Sequence, residues 1–541
     1  MLQMKKRWRL VICLALIMVF ALAAFSQADS GPRVSRNIRV NAPQQLFPND
    51  WPNRNTPSIA AGEGGQEILT VFEDFQGFCG PPNNRPCPAP VPPGLTGFAY
   101  STNGGRTWTD GGTVPPIGAA QTAGHPWVDR GNPDGPDGEE VFFTASRMRI
   151  NVQGNSEGIG VHRGRFVDGA FVWEDGQILR SPNPGDNNTR PAIAAAKDGS
   201  GAAYVVYSNI IELCGNPSFG FGQIEVWRTH DGGDTWQGPV IAGPDTAENS
   251  NPDDPQCGVV GPLQVAPDIS IGTHGEVYVV WQRGPRFIDE NLNIEAVSKI
   301  MFARSLDGGV TFEAPQVLAD INANYENTPV GHGKSRQNDQ PRIAVATSGR
   351  FRGRIYVTFY EPVQQVQVPA TTQSDVSSQI FITWSDDKGA TWSTPTAMTS
   401  PVPATGVKRF WPTVSVRPNG DVDVVYLESR EKQITPDPDD VECNVPIGGG
   451  LFRSGPLSSR VNTFWIQSHD GGATFSPAVR VSTRPTNWCR TVYVFSGAVF
   501  SNIGDYIDTV SVGNRTLVVW PDGRNGVSDV FFAEVKGKAD E

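Results

Sequence analysis

Three arginines stand beside prolines in short, similar phrases: Arg190 precedes Pro191, Arg342 follows Pro341, and Arg409 lies three residues before Pro412. A guanidinium presents a rigid fork of N–H donors that matches a carboxylate bidentately. At equivalent places in the pattern described below stand Asp505 and Tyr506, Glu361 and Glu428. Two carboxylates across a sugar site, or a tyrosine activated by one, are the equipment of glycoside hydrolysis. Together these seven residues would suit recognition or cleavage of a terminal acidic sugar. The competing reading is that the acids and arginines pair with one another and close the surface they share.

The elements that must position them repeat. A phrase of proline, any residue and Ile or Val recurs as Pro57-Ser58-Ile59, Pro126-Trp127-Val128, Pro191-Ala192-Ile193, Pro267-Asp268-Ile269, Pro341-Arg342-Ile343 and Pro412-Thr413-Val414. A seventh, Asp505-Tyr506-Ile507, lacks the proline. The aliphatic positions are 69, 65, 76, 74, 71 and 93 residues apart, which makes seven units across residues 29–541. Each phrase opens one strand. A second, continuously apolar strand follows: Ile68–Phe72, Val141–Thr144, Tyr204–Tyr207, Val277–Trp281, Ile355–Tyr360, Val422–Leu427 and Leu517–Trp520. Strands apolar on both faces are expected where sheets stack. A third strand enters a Gly-rich turn and a short fourth leaves it. Four strands per repeat predict the blades of a single all-β propeller, seven-bladed or, with one unit fewer, six-bladed.

The last unit, ending in Ser528–Val535, has no fourth strand, and Asn37–Val40 near the start has no hairpin partner. Pairing the two closes the ring and leaves no orphan edge. On this topology the phrase starts and second-strand ends share one face. They bring His125, Trp127, Asp268, Asp339, Trp411, Glu73, Asp74, Arg147, Arg283, Arg430, Asp522 and Arg524 around the same mouth.

Five units carry Ser/Thr-x-Asp/Asn-x-Gly-x-Thr-Trp/Phe, with Asn103, Asp231, Asp307, Asp387 and Asp470 at the acidic position. The side-chain oxygen can satisfy backbone N–H groups of the turn, and Gly supplies its positive φ. A structural role accounts for each position of the motif, which falls on the face opposite the mouth. The second unit retains only Asp168-Gly169 and Trp173. This motif is the Asp box, and the chain resembles the sialidase superfamily of Asp-box (BNR-repeat) β-propellers over essentially all of residues 29–541. The resemblance implies an exo-glycosidase with three arginines on a substrate carboxylate, a Tyr–Glu nucleophile pair and an Asp acid/base. The family's Phe/Tyr-Arg-Ile-Pro motif of the first blade is absent, since that region reads Asn55-Thr56-Pro57-Ser58-Ile59. Its nearest echo is Pro341-Arg342-Ile343. The family's propellers have six blades.

Lys5, Lys6, Arg7 and Arg9 precede an apolar stretch from Leu10 to Phe25, and Ser26-Gln27-Ala28 offers small residues for cleavage. Residues 1–28 read as a signal peptide and predict a secreted chain, extracellular or periplasmic, without a later membrane span. Cleavage would shift the net charge from −12 to −16, which disfavours nucleic acid. Six cysteines remain: Cys79, Cys87, Cys214, Cys257, Cys443 and Cys489. In an exported chain they predict disulfides, most simply between sequence neighbours. No cofactor is implied. The acidic loops Asn132–Gly138, Asp245–Asp254 and Pro436–Asp440 offer oxygen ligands to Ca²⁺, or are solvated loops. Two functions remain open: an exo-glycosidase on acidic sugars of extracellular glycans, and a non-catalytic propeller that binds a glycan or a surface protein.

Overall fold

The computed structural model describes residues 31–43, 53–75, 94–132, 139–149, 158–182, 186–212, 220–245, 248–249, 259–260, 262–284, 297–322, 340–364, 377–400, 407–429, 444–448, 451–454, 460–487, 492–495, 498–501, 504–525 and 527–537. Among them the regular structure is entirely β, in a propeller-like arrangement of small antiparallel sheets.

Five sheets are blade-sized. The first comprises Arg54–Ala61, Ile68–Asp74, Thr96–Ser101 and Thr109–Thr113. The second is built on Trp127–Gly131, Val141–Arg149, Gly158–Val167 and Ala170–Trp173. The third runs Asp186–Ala195, Ala203–Glu212, Gly220–Thr229 and Gln237–Gly243. The fourth runs Gln264–Ile271, Val277–Arg283, Val297–Ser305 and Gln316–Asn322. The fifth pairs Asp508–Val512, Arg515–Asp522 and Asp529–Lys536 with strands from the start of the chain. A further, nine-stranded sheet contains two antiparallel meanders, one opening at Arg342–Val345 and one at Lys408–Val416. A single parallel pair, Ser378 with Lys408, joins them.

The seventh phrase is corrected here. Its strand is Asp508–Val512, which opens one residue beyond the phrase, and Asp508 accepts from Thr509 N and Ile59 N as Asp268 accepts from Ile269 N and Ile343 N. The Ser415 and Ser511 hydroxyls meet at 2.7 Å. Asp505 and Tyr506 therefore lie in the segment leading into that strand.

The second strand of each unit is the most deeply buried, and Trp281, Tyr278, Tyr356, Tyr426 and Trp520 have at most 1 % of their surface exposed. Two fully buried indoles find acceptors: Trp281 Nε1 donates to Gln264 Oε1 at 2.7 Å and Trp465 Nε1 to Asp423 Oδ1 at 3.1 Å. Burial of each such ring contributes roughly 2–3 kcal/mol relative to exposure.

Neighbouring sheets dock through the Gly-rich turns. A Cβ on Gly233 would lie 2.8 Å from Phe143, on Gly309 2.9 Å from Tyr204, and on Gly389 2.4 Å from Phe302. In each case the aromatic belongs to the preceding sheet. Gly105 of the first sheet stands in the same relation to Phe532 of the last, at 2.3 Å. The second unit instead turns on Asp168 and Gly169, at φ +50° and +79°, a two-residue hairpin loop.

The start of the chain pairs with its end. Arg33 and Val34 face Lys536 and Val535, and Ile38 and Arg39 face Phe532 and Phe531. Asn41 exchanges hydrogen bonds with Asp529 Oδ1 at 2.9 Å and Val530 N at 2.8 Å. The strands opening the units touch in sequence order, from Arg54–Ala61 through Trp127–Gly131 and onward to Asp508–Val512, which touches Arg54–Ala61.

Candidate functional site

The opening strands share a local distortion with a covalent cause. Proline has no N–H to give the ladder. The residues before Pro57, Pro126, Pro191, Pro267 and Pro412 are Thr56, His125, Arg190, Ala266 and Trp411, and all have φ between 49° and 56°. In four of these sheets the register shifts across that dipeptide. Positive φ at a non-glycine residue costs of order 1–3 kcal/mol and accumulates where a structure aims side chains for a purpose. Here it brings His125 and Arg190 together.

His125 is the hub. Its Nε2 lies 3.1 Å from Asp505 Oδ2 and 3.5 Å from Glu73 Oε1, which also accepts the His125 backbone N–H at 3.0 Å. Its Nδ1 lies 3.1 Å from Thr189 Oγ1 and 3.3 Å from Arg147 Nη1. Arginine can only donate, so Nδ1 is the acceptor and Nε2 carries the proton toward the carboxylates. Burial lowers the imidazole's pKa, against the pull of Glu73 and Asp505, which keeps the ring neutral. Arg190 Nη2 lies 3.8 Å from the same Asp505 oxygen, and the Asp505 backbone N–H donates to Thr56 Oγ1 at 3.4 Å.

Beside this hub the Arg342 guanidinium sits 4.2 Å over Trp127 and 5.0 Å from the Tyr506 ring, and the two rings meet edge-on at 5.1 Å. Arg342 Nη2 donates to Gln340 Oε1 at 3.0 Å. The Tyr506 hydroxyl donates to Pro126 O at 2.6 Å, and burial pushes its pKa well above 10. Asp505 Oδ2 thus faces His125, while the Tyr506 hydroxyl faces the Pro126 carbonyl.

Trp127 and Arg342 also line one end of an axial cavity of about 450 Å³ whose other end reaches Lys197, Asp198, Thr347 and Arg352. Three carboxylates on its wall bind the next unit's strand: Asp129 Oδ2 accepts from Ala195 N, Asp268 Oδ2 from Ile343 N and Asp508 Oδ2 from Ile59 N, all at 3.0 Å. Burial raises Asp268 and pushes Asp508 up to about 7, opposed in both by Arg342 and by these amides.

Of the seven residues singled out in the sequence, Arg190, Arg342, Asp505 and Tyr506 gather here. Arg409 is held otherwise: its Nε meets Glu428 Oε2 at 2.8 Å and its Nη1 meets Thr399 Oγ1 at 2.7 Å. Arg54–Asp74 at 2.9 Å and Arg524–Asp522 at 2.5 Å repeat this pairing. Glu361 is half-buried, and burial raises its carboxyl. Thr189 and Asp508 were missed. Neither stood in a repeat phrase as the sequence was divided.

The turn residues are satisfied internally. Asp307 Oδ1 accepts from Ser305 Oγ at 2.7 Å and Thr311 N at 3.0 Å, and Oδ2 accepts from Thr311 Oγ1 at 2.6 Å. Asp231, Asp387 and Asp470 repeat the Thr contacts, and Asn103 accepts from Thr107 N at 3.0 Å. These donors hold Asp307 and Asp387 down at about 2. Cys79, Cys87, Cys214, Cys257, Cys443 and Cys489 lie outside the described residues, as do residues 1–30 and most of the three acidic loops. Among the described residues no three His, Cys, Asp or Glu side chains gather as metal ligands, and no helix is long and apolar enough to cross a membrane.

No family model matches the chain, and no curated protein matches it. Among solved structures it is similar to a protein of unknown function from Dyadobacter fermentans, at 12% identity and TM-score 0.39 over 94% of this chain and 99% of that one. It is similar to the GH93 alpha-L-arabinofuranosidase of Fusarium graminearum, at 12% identity and TM-score 0.43 over 73% and 92%. A leech intramolecular trans-sialidase follows at 8% identity and TM-score 0.34 over 92% and 89%. Likenesses this distant assign no activity.

Proposed function

We propose that this chain is a secreted glycan-recognising β-propeller, extracellular or periplasmic, whose mouth binds an acidic sugar without cleaving it. The observation that carries the reading is the Arg342 guanidinium stacked on Trp127 and Tyr506 beside the His125–Asp505–Arg190 cluster. Aromatic rings and a fixed guanidinium are the pair of groups that a sugar ring bearing a carboxylate requires. The architecture proposed with it is a seven-bladed ring closed by the N-terminal strand, supported by the sequential contacts of the opening strands and by the Gly105–Phe532 docking. The five satisfied turns are read as Asp boxes, and the chain with them as a sialidase-type propeller. Residues 1–28 are read as its signal peptide and the six remaining cysteines as disulfides.

Binding is favoured over exo-glycosidase chemistry because the hydrolytic groups are engaged. The Tyr506 hydroxyl is committed to Pro126 O, Arg409 to Glu428, and both Asp505 and Glu73 to one imidazole nitrogen. The test is a glycan array probed with the mature chain and with Arg342→Met, run beside a fluorogenic sialoside and uronide panel. Retention of acidic glycans that the variant loses, without turnover, supports the reading. Turnover of any panel member replaces it with the hydrolase, and retention of a glycan-free surface protein replaces it with a protein-binding propeller.

A further inference from the structure

A second depression lies away from the mouth, at the seam where the start of the chain, its last strand and the first Gly-rich turn meet. Its volume is about 320 Å³, and it is lined by Arg36, Ile38, Arg106, Arg515, Phe532 and Lys536, with Glu534 among them. That is four cations against one carboxylate, on a chain whose net charge is −12. The single acid is shared: Glu534 Oε2 lies 3.2 Å from Arg515 Nη1, and Glu534 Oε1 lies 3.3 Å from Lys536 Nζ. Arg515 is fixed further by Gly65 O at 3.1 Å. Arg36 and Arg106 are exposed on opposite banks, one on the N-terminal segment and one in the turn after Asn103. Ile38, half-buried, adds an apolar surface to the lining.

We infer that this seam groove is a second binding site, for a short anionic saccharide carrying sulfate or carboxylate. The local positive charge selects an anion, and the surrounding negative charge rejects a long polyanion. The volume is at the lower end for small-ligand clefts, roughly 300–1,000 Å³, which suits one or two sugar rings rather than a bare ion. Because the lining joins the start of the chain and its first Gly-rich turn to its last two strands, an occupant would clamp the seam, and binding would raise the melting temperature by mass action.

The test titrates the full mature chain with N-acetylglucosamine 6-sulfate and with galacturonic acid dimer at low ionic strength. N-acetylglucosamine and inorganic sulfate serve as comparators. Saturable binding of either charged sugar, at least tenfold weaker in the double variant Arg36→Ser/Arg106→Ser and unchanged in Arg342→Met, is expected, with a rise in melting temperature lost in the same double variant. Both arginines are exposed, so the double variant should melt where the parent does without ligand. Binding that survives the double variant, binding that follows Arg342, sulfate binding as tightly as the sugars, or no binding at all would each overturn the site. The Arg342→Met arm keeps this outcome separate from that of the mouth.

Discussion

The Nε2 of His125 stands 3.1 Å from Asp505 Oδ2, although 380 residues separate the two in the chain. Asp505 is completely buried, and Arg190 approaches the same oxygen at 3.8 Å. Removing one partner of a buried charged group strands the others, at a cost of about 3–5 kcal/mol. Asp505→Ala should therefore lose stability of that order in denaturant unfolding, and His125→Ala clearly less, since the imidazole is neutral. Equal, small losses would mean that the cluster is solvated.

Arg342→Met keeps the aliphatic stem on Trp127 and removes the charge. A stacked guanidinium contributes about 0.5–2 kcal/mol. The fold should survive with a loss of that size, while acidic-glycan retention should fall at least tenfold. Unchanged retention would move the ligand elsewhere.

Two glycines separate strain from crowding. Gly353 has φ +94° and nothing within 4 Å of an added Cβ, whereas Gly389 has φ +80° and Phe302 at 2.4 Å. Gly353→Ala should cost about 1–2 kcal/mol from backbone strain alone. Gly389→Ala should cost a further 1–3 kcal/mol or so for overpacking against the neighbouring sheet. Equal costs in thermal unfolding would show that the turns do not dock the sheets.

Acid and alkali should act through different carboxylates. Asp307 and Asp387 have folded pKa values of about 2, below the ordinary 3.8, so their contribution is present above about 4 and is lost as pH falls toward 2. Asp508 is opposite: with a folded pKa of about 7 against 3.8, it favours the fold most below about 4 and loses that advantage as pH rises to 7. The stability of Asp508→Asn relative to the parent should consequently improve between pH 5 and 8. Parallel pH profiles for the two proteins would contradict this.

Deleting residues 29–41 uncovers the edge of Asp529–Lys536 and removes the two Asn41 hydrogen bonds. A lowered melting temperature and a tendency to self-associate through the bare edge are expected by calorimetry and light scattering. An unaltered transition would argue against closure by this strand.

Much of this was legible in the chain because it is local. Apolar second strands, glycine turns and Ser/Thr-x-Asp spacing are patterns within a dozen residues, and they determined the all-β class, the repeat and the fact that the turn aspartates are structural. The displaced seventh phrase shows the limit: Ile507 mimicked the repeat's aliphatic position, and only the pairing of Asp508–Val512 corrected it. The site was legible as an inventory of residues but not as a set of bonds. Whether Arg409 faces a ligand or Glu428, and whether Tyr506 meets Asp505 or the Pro126 carbonyl, depends on partners brought together across sheets. Composition and spacing named the candidate groups; tertiary packing, through burial and competition for hydrogen bonds, decided which partners each of them takes.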